Sequence, residues 1–178
     1  MKLQKITKDG KEIFQCSCCD KEYDQIPFCF GSDYPAVYFS IPSEERDERI
    51  EMEKSLCVID EKFFFHRGRL EIPIRDNHDN LFFDVWLSIS EDNFGIRMDD
   101  WNNPNRINNS PYFGWLQTQI PTYENSINIK AQAFEEELDC IPRIEATDEN
   151  HQLTLDQKNG ISLKKAIGII EFILDKEH

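Results

Sequence analysis

The chain has 178 residues, 34 of them acidic and 20 basic, for a formal net charge of −14, and 39% of it is hydrophobic. That length fits one compact domain over residues 1–178; thirteen Phe, three Trp and five Tyr supply enough bulky apolar surface for a core, which excludes low-hydrophobicity disorder. The charge favours solubility and speaks against nucleic-acid binding, which needs clustered Lys and Arg; the densest basic spot is Arg67 with Arg69, and acids flank it.

The first chemical feature along the chain is Cys16-Ser17-Cys18-Cys19, in which Cys16 and Cys19 have the two-residue gap of a zinc knuckle. A structural zinc needs four ligands, and no second such pair exists, so Cys18, Cys29, Cys57 or a His would have to complete it. The competing reading is a set of unmetallated thiols at a strand-to-turn corner. No run approaches the ~18 apolar residues of a membrane span, and the N-terminal stretch MKLQKITKDGKE has no apolar signal-peptide core. A cytoplasmic setting is therefore expected, with no membrane partner and with Cys57 and Cys140 as small buried hydrophobes rather than disulfide partners.

Residues 42–54 (PSEERDERIEMEK) predict a helix capped by Ser43, with Glu45 four before Arg49. Residues 63–74 predict a long strand with Phe64, Leu70, Ile72 and Ile74 on one face and Arg67, Arg69 and Glu71 on the other; Gly68 suggests a bulge or bend. His66 shares the apolar parity and reads as a hydrogen-bonded core histidine rather than a catalytic base. The turn at residues 76–80 (DNHDN) joins this strand to residues 81–90, where Leu81, Phe83, Val85, Leu87 and Ile89 alternate with polar positions, so the two should pair antiparallel. A short helix is expected over 91–100. Residues 102–110 (NNPNRINNS) read as an exposed loop.

Further strands are predicted at 112–118, 127–133 and 141–146. The dense aromatic run Tyr112-Phe113-Gly114-Trp115-Leu116 reads first as packing and second as a ligand shelf, with Gly114 permitting close backbone approach or a bulge. His151 lies in a polar connection and, with Trp115, marks a candidate cleft. The C-terminal helix is capped by Ser162 and carries the stripe Leu163, Ala166, Ile167, Ile170, Ile173 and Leu174. Together these elements predict an α+β fold: an antiparallel or mixed β-sheet, a few helices including the C-terminal amphipathic one, and an N-terminal CxxC turn.

Several stretches, in order, resemble a bacterial family known as domain of unknown function 2199. They are the CxxC at Cys16 and Cys19, Leu56-Cys57-Val58-Ile59-Asp60, and the run from Phe64 to Pro73 (FFHRGRLEIP). Later come Val85-Trp86-Leu87-Ser88, Tyr112-Phe113-Gly114-Trp115-Leu116, Thr147-Asp148 and Asp156-Gln157. The resemblance runs from about residue 14 into the C-terminal helix, and implies a small bacterial cytoplasmic protein without naming a reaction. The family pattern often continues CxxCGxxH; here Asp20 and Tyr23 stand at the Gly and His positions.

No GxSxG, P-loop or GxGxxG motif is present, and the many acid pairs name no general acid–base couple, so no catalytic residue and no cofactor beyond one zinc is expected. Three functions are in play. One is an acidic, immunity-like module that binds a basic protein; one is a zinc-knuckle protein held by Cys16 and Cys19. The third is an enzyme or small-ligand binder with a cleft near Trp115 and His151.

Overall fold

The computed structural model describes residues 3–8, 11–16, 21–75 and 77–176. Strands β1 (Leu3–Lys8) and β2 (Lys11–Cys16) form an antiparallel hairpin, edged by the two residues of β3 (Glu22–Tyr23). Cys16 is the last residue of β2, while Cys18 and Cys19 lie outside the described residues, and with them the expected CxxC turn.

A second sheet is organised by a long hairpin of β7 (Phe63–Ile72) and β8 (Leu81–Ile89), antiparallel in unbroken register from Phe64 opposite Ile89 to Ile72 opposite Leu81. No bulge interrupts it at Gly68. The glycine is needed because β11 (Arg143–Ala146) crosses there: a β-carbon at residue 68 would meet the Pro142 carbonyl oxygen at 2.7 Å. Each hairpin strand divides its outer edge between two partners. β8 pairs with β4 (Cys29–Gly31) in its first half and β9 (Tyr112–Leu116) in its second. β7 pairs with β6 (Leu56–Ile59) in its first half and β11 in its second.

β9 continues through β10 (Lys130–Phe134) to β11, so the pairings β7–β8–β9–β10–β11–β7 run round in a ring. The sheet is mixed, since β4–β8 and β11–β7 are parallel. The inside of the ring collects the alternating apolar residues read from the sequence, including Leu70, Ile72, Leu81, Phe83, Val85, Leu87, Leu116, Ala131, Ala133 and Ile144. α4 (Leu163–Lys176) closes on this core with Ala166, Ile169, Ile170, Ile173 and Leu174, and Ser162 caps it by accepting from the Lys165 amide. Each buried Ile or Leu contributes about 1.5–3 kcal/mol.

The outer face of the hairpin carries a second, smaller core. Trp86 is wholly buried there against Ile41, Cys57, Ile59 and Phe65. This core explains why residues 42–54 do not form the expected helix. The chain makes a 3-10 turn (Ser43–Glu45) and one turn of α1 (Arg46–Arg49), then β5 (Ile50–Met52) pairs with β6 and packs Ile50 and Met52 on the cluster. Ser43 is not a cap; its hydroxyl donates to Glu44, while the expected Glu45–Arg49 pair forms at 2.7 Å. The polar connection at His151 turns out to begin a helix, α3 (Gln152–Asn159). The expected helix after Ser90 is present as α2 (Glu91–Asp99), with Ser90 accepting from the Asn93 amide.

Candidate functional site

Charged side chains gather where the hairpin's outer face meets the loops following α2 and β10. Arg67, Arg69 and Glu71 share the outward parity of β7, and Asp84 stands opposite Arg69 on β8. Arg69 donates Nε and a terminal amine to the Asp84 carboxylate at 2.8 and 3.2 Å. Arg67 approaches the same carboxylate only to 3.8 Å, and its Nε is buried without a hydrogen-bond partner.

Beside them, Arg97 from α2 and Arg106 are both buried, at 3% and 4% exposure, and both face the buried carboxylate of Glu135. Arg97 donates a terminal amine to Glu135, while its own Nε has no partner. Arg106 belongs to the stretch expected to be a plain exposed loop, here a 3-10 turn (Pro104–Asn108) capped by Asn103. Its guanidinium donates to the carbonyls of Trp101, Glu136, Glu137 and Cys140 at 2.6–3.1 Å, tying this loop to the one after β10. Two loops that would otherwise be independent become one wall.

The result is a cleft of about 900 Å³ whose lining includes Arg67, Arg69, Arg97, Arg106 and Arg143, with Trp101, Leu138 and Ile141 as its apolar surfaces. Four of these guanidiniums share two carboxylates, Asp84 in the lining and Glu135 buried behind it. A buried cation without a counter-ion is costly to desolvate, so a surplus of two positive charges in so acidic a chain is not a stability device. Guanidinium is planar and binds carboxylate or phosphate in a fork, so the arrangement is chemically suited to hold an anion.

Behind the cleft sits His66, fully buried on the inward face of β7, its ring 6.3 Å from that of Tyr112. The expected burial is present but the expected hydrogen bond is not: neither ring nitrogen has a partner among the described residues. Burial, then the charge of Arg97, pushes its pKa down from 6.5 to about 3, so the ring is neutral.

His151 is the N-cap of α3, its Nδ1 accepting from the Leu153 amide and its Nε2 2.9 Å from the Glu124 carbonyl oxygen. Trp115 stands 42% exposed on the outer side of β9 beside Phe113, at 46%, the two rings edge to face at 5.4 Å. The lining of the arginine cleft includes neither Trp115 nor His151. Gly114 allows close approach rather than a bulge, because the Ser88 carbonyl oxygen occupies the space of its absent side chain. Cys57 is buried, and burial pushes its thiol up to about 12, whereas Cys140 is exposed at the cleft rather than buried as expected. No group of three or more His, Cys, Asp or Glu among the described residues could hold a metal ion.

Of the lining arginines only Arg67 and Arg69 are near neighbours in sequence; the fold brings in the others. Glu135 did carry a signal, since it continues the inward parity of Ala131 and Ala133, and an acid in that position calls for a buried cation. No helix among the described residues is long and apolar enough to cross a membrane. No curated protein and no solved structure matches the chain. A family model does match, over residues 15–161, and the chain therefore belongs to the family described as uncharacterized protein conserved in bacteria, DUF2199.

Proposed function

We propose that this chain is a binding protein rather than a catalyst, and that it captures an anionic group in the arginine-lined cleft. The observation that carries this reading is the sharing of Asp84 and Glu135 among Arg67, Arg69, Arg97 and Arg106. A bound anion supplies the missing negative charge and the missing hydrogen-bond acceptors together. The cleft volume falls within the range of small-molecule sites. Titration calorimetry with small carboxylates and phosphates is the test. Saturable binding that is lost in Arg67→Gln supports the reading, and heats no larger than dilution for every anion refute it.

A second reading is an acidic, immunity-like module that docks a basic protein partner. It is favoured by the net charge of −14 and by the exposed pair Phe113 and Trp115, an aromatic anchor of the kind enriched at interfaces. Crosslinking in bacterial lysate checks it: Trp115→Ser should abolish a specific adduct with a basic protein, and an unchanged adduct would place the contact elsewhere. A structural zinc at Cys16 and Cys19 is a separate proposal resting on their spacing alone, and native mass spectrometry of protein purified without chelator decides it. A cytoplasmic setting belongs to the same picture and is supported by the free thiols of Cys29, Cys57 and Cys140.

A further inference from the structure

We infer that the anion held in the cleft is a phosphate monoester dianion on a small, uncharged carrier; this rests on the anion-capture reading above and narrows it to one ligand class. Three observations point this way. The first is the size of the charge surplus. Arg67 with Arg69 on Asp84, and Arg97 with Arg106 on Glu135, leave two positive charges unmatched at the cleft. A carboxylate ligand neutralises one of them, whereas a phosphomonoester carries roughly −1.5 to −2 at neutral pH and three acceptor oxygens.

The second is where donors are idle. Arg106 commits four of its five guanidinium N–H donors to carbonyls, and Arg69 is forked onto Asp84. Arg67 donates no hydrogen bond from its guanidinium among the described residues, and Arg97 keeps its Nε unpartnered while its side chain is 2% exposed; on the acceptor side of the cluster only Oε2 of Glu135 is unpartnered. The two arginines come from different elements, β7 and α2, and both line the cleft, so a group with three acceptor oxygens can engage both, which suits a phosphate better than a flat carboxylate.

The third is the rim. Arg143 is already paired with Glu136 and Glu145, and with Lys54 it faces Glu71, Glu136 and Asp139 in the lining, which leaves one negative charge in excess. Negative charge at the mouth repels a polyanion such as a nucleic-acid backbone or a di- or triphosphate, and admits one phosphate whose carrier is neutral. Trp101, 38% exposed and with the Arg97 guanidinium 5.3 Å from its ring, gives that carrier an apolar surface.

The experiment is calorimetric titration of the full chain with phenyl phosphate, benzoate and inorganic phosphate at pH 7.5, repeated at pH 5.5. Phenyl phosphate should bind roughly tenfold or more tightly than benzoate at pH 7.5, because the second charge sits in the same low-dielectric site. The advantage should shrink at pH 5.5, below the second phosphate pKa of about 6. Arg67→Gln and Arg97→Met should each abolish phenyl phosphate binding, while Arg49→Gln, outside the cleft and paired with Asp60, should leave it within about twofold. Arg67 is partly exposed, so its variant keeps the test alive if the Arg97 variant fails to fold. Benzoate binding as tightly as phenyl phosphate overturns the dianion inference and leaves anion capture standing. No binding of any of the three overturns both.

Discussion

Glu135 and Arg97 form one buried ion pair, yet removing the two partners should have unequal consequences. Glu135→Gln keeps the shape of the side chain but takes away the carboxylate faced by Arg97 and Arg106, both nearly solvent-free. Arg106 retains four carbonyl acceptors, whereas Arg97 loses its only anion. Leaving a buried charge without its partner costs about 3–5 kcal/mol, which for a domain of this size lowers the melting temperature by roughly 6–20 °C. Arg97→Met removes the one hydrogen-bond donor to Glu135 but also one surplus cation, and Arg106 stays 3.5 Å from the carboxylate, so the loss should be clearly smaller, about 1–2 kcal/mol. Urea denaturation of the three proteins at pH 7 and low anion concentration measures both effects. If Arg97→Met costs as much as Glu135→Gln, the cluster is balanced in the ligand-free protein and the surplus-charge reasoning fails.

His66 makes a prediction about pH. Its folded pKa lies below its ordinary one, so above pH 6.5 both states are neutral and no proton-linked cost exists. As pH falls from 6.5 toward about 3 the unfolded chain takes the proton and the folded chain does not, so stability is lost through that window, by about 2–3 kcal/mol at pH 4.5. His66→Phe should flatten the acid limb by that amount; parallel pH profiles for the two proteins would show that carboxylates alone set it. Gly114→Ala should cost about 1–3 kcal/mol or more, since the added methyl meets the backbone oxygen of Ser88. Gly95→Ala, in the open on α2, should stabilise by about 0.5–1 kcal/mol, and a loss there would mean its side is occupied. Trp115→Ser should lower stability by about 1–2 kcal/mol, because the indole is only 42% exposed and packs edge to face on Phe113; no loss would mean the ring contributes nothing to packing.

The parts of the fold that were legible are those whose order is set locally. Alternation in β7 and β8, with a turn between them, identified the hairpin and its inward face, and the 3.6-residue stripe with Ser162 identified α4. Residues 42–54 misled because helix-favouring Glu and Arg dominate them, while Ile50 and Met52, spaced by two, were the strand signal that tertiary packing on Trp86 selects. The closing of β11 onto β7 has no sequence signature beyond Gly68, whose missing side chain makes room for the crossing. The cleft was hidden for the same reason. Its arginines stand at 67, 69, 97, 106 and 143, far apart in sequence, and only the ring of strands and the Arg106 tether bring them together. The Asn-rich loop looked solvated because its single Arg had no visible acceptors; those are backbone carbonyls some thirty residues later.

The most direct measurement is the NMR spectrum of the arginine Nε–H groups as phenyl phosphate is added to the full chain. The Arg67 and Arg97 signals should shift saturably and together, while Arg49, already forked onto Asp60 at 2.7 Å, should stay in place. Uniform small shifts of all arginines, or none at Arg67 and Arg97, would contradict a built anion site in this cleft.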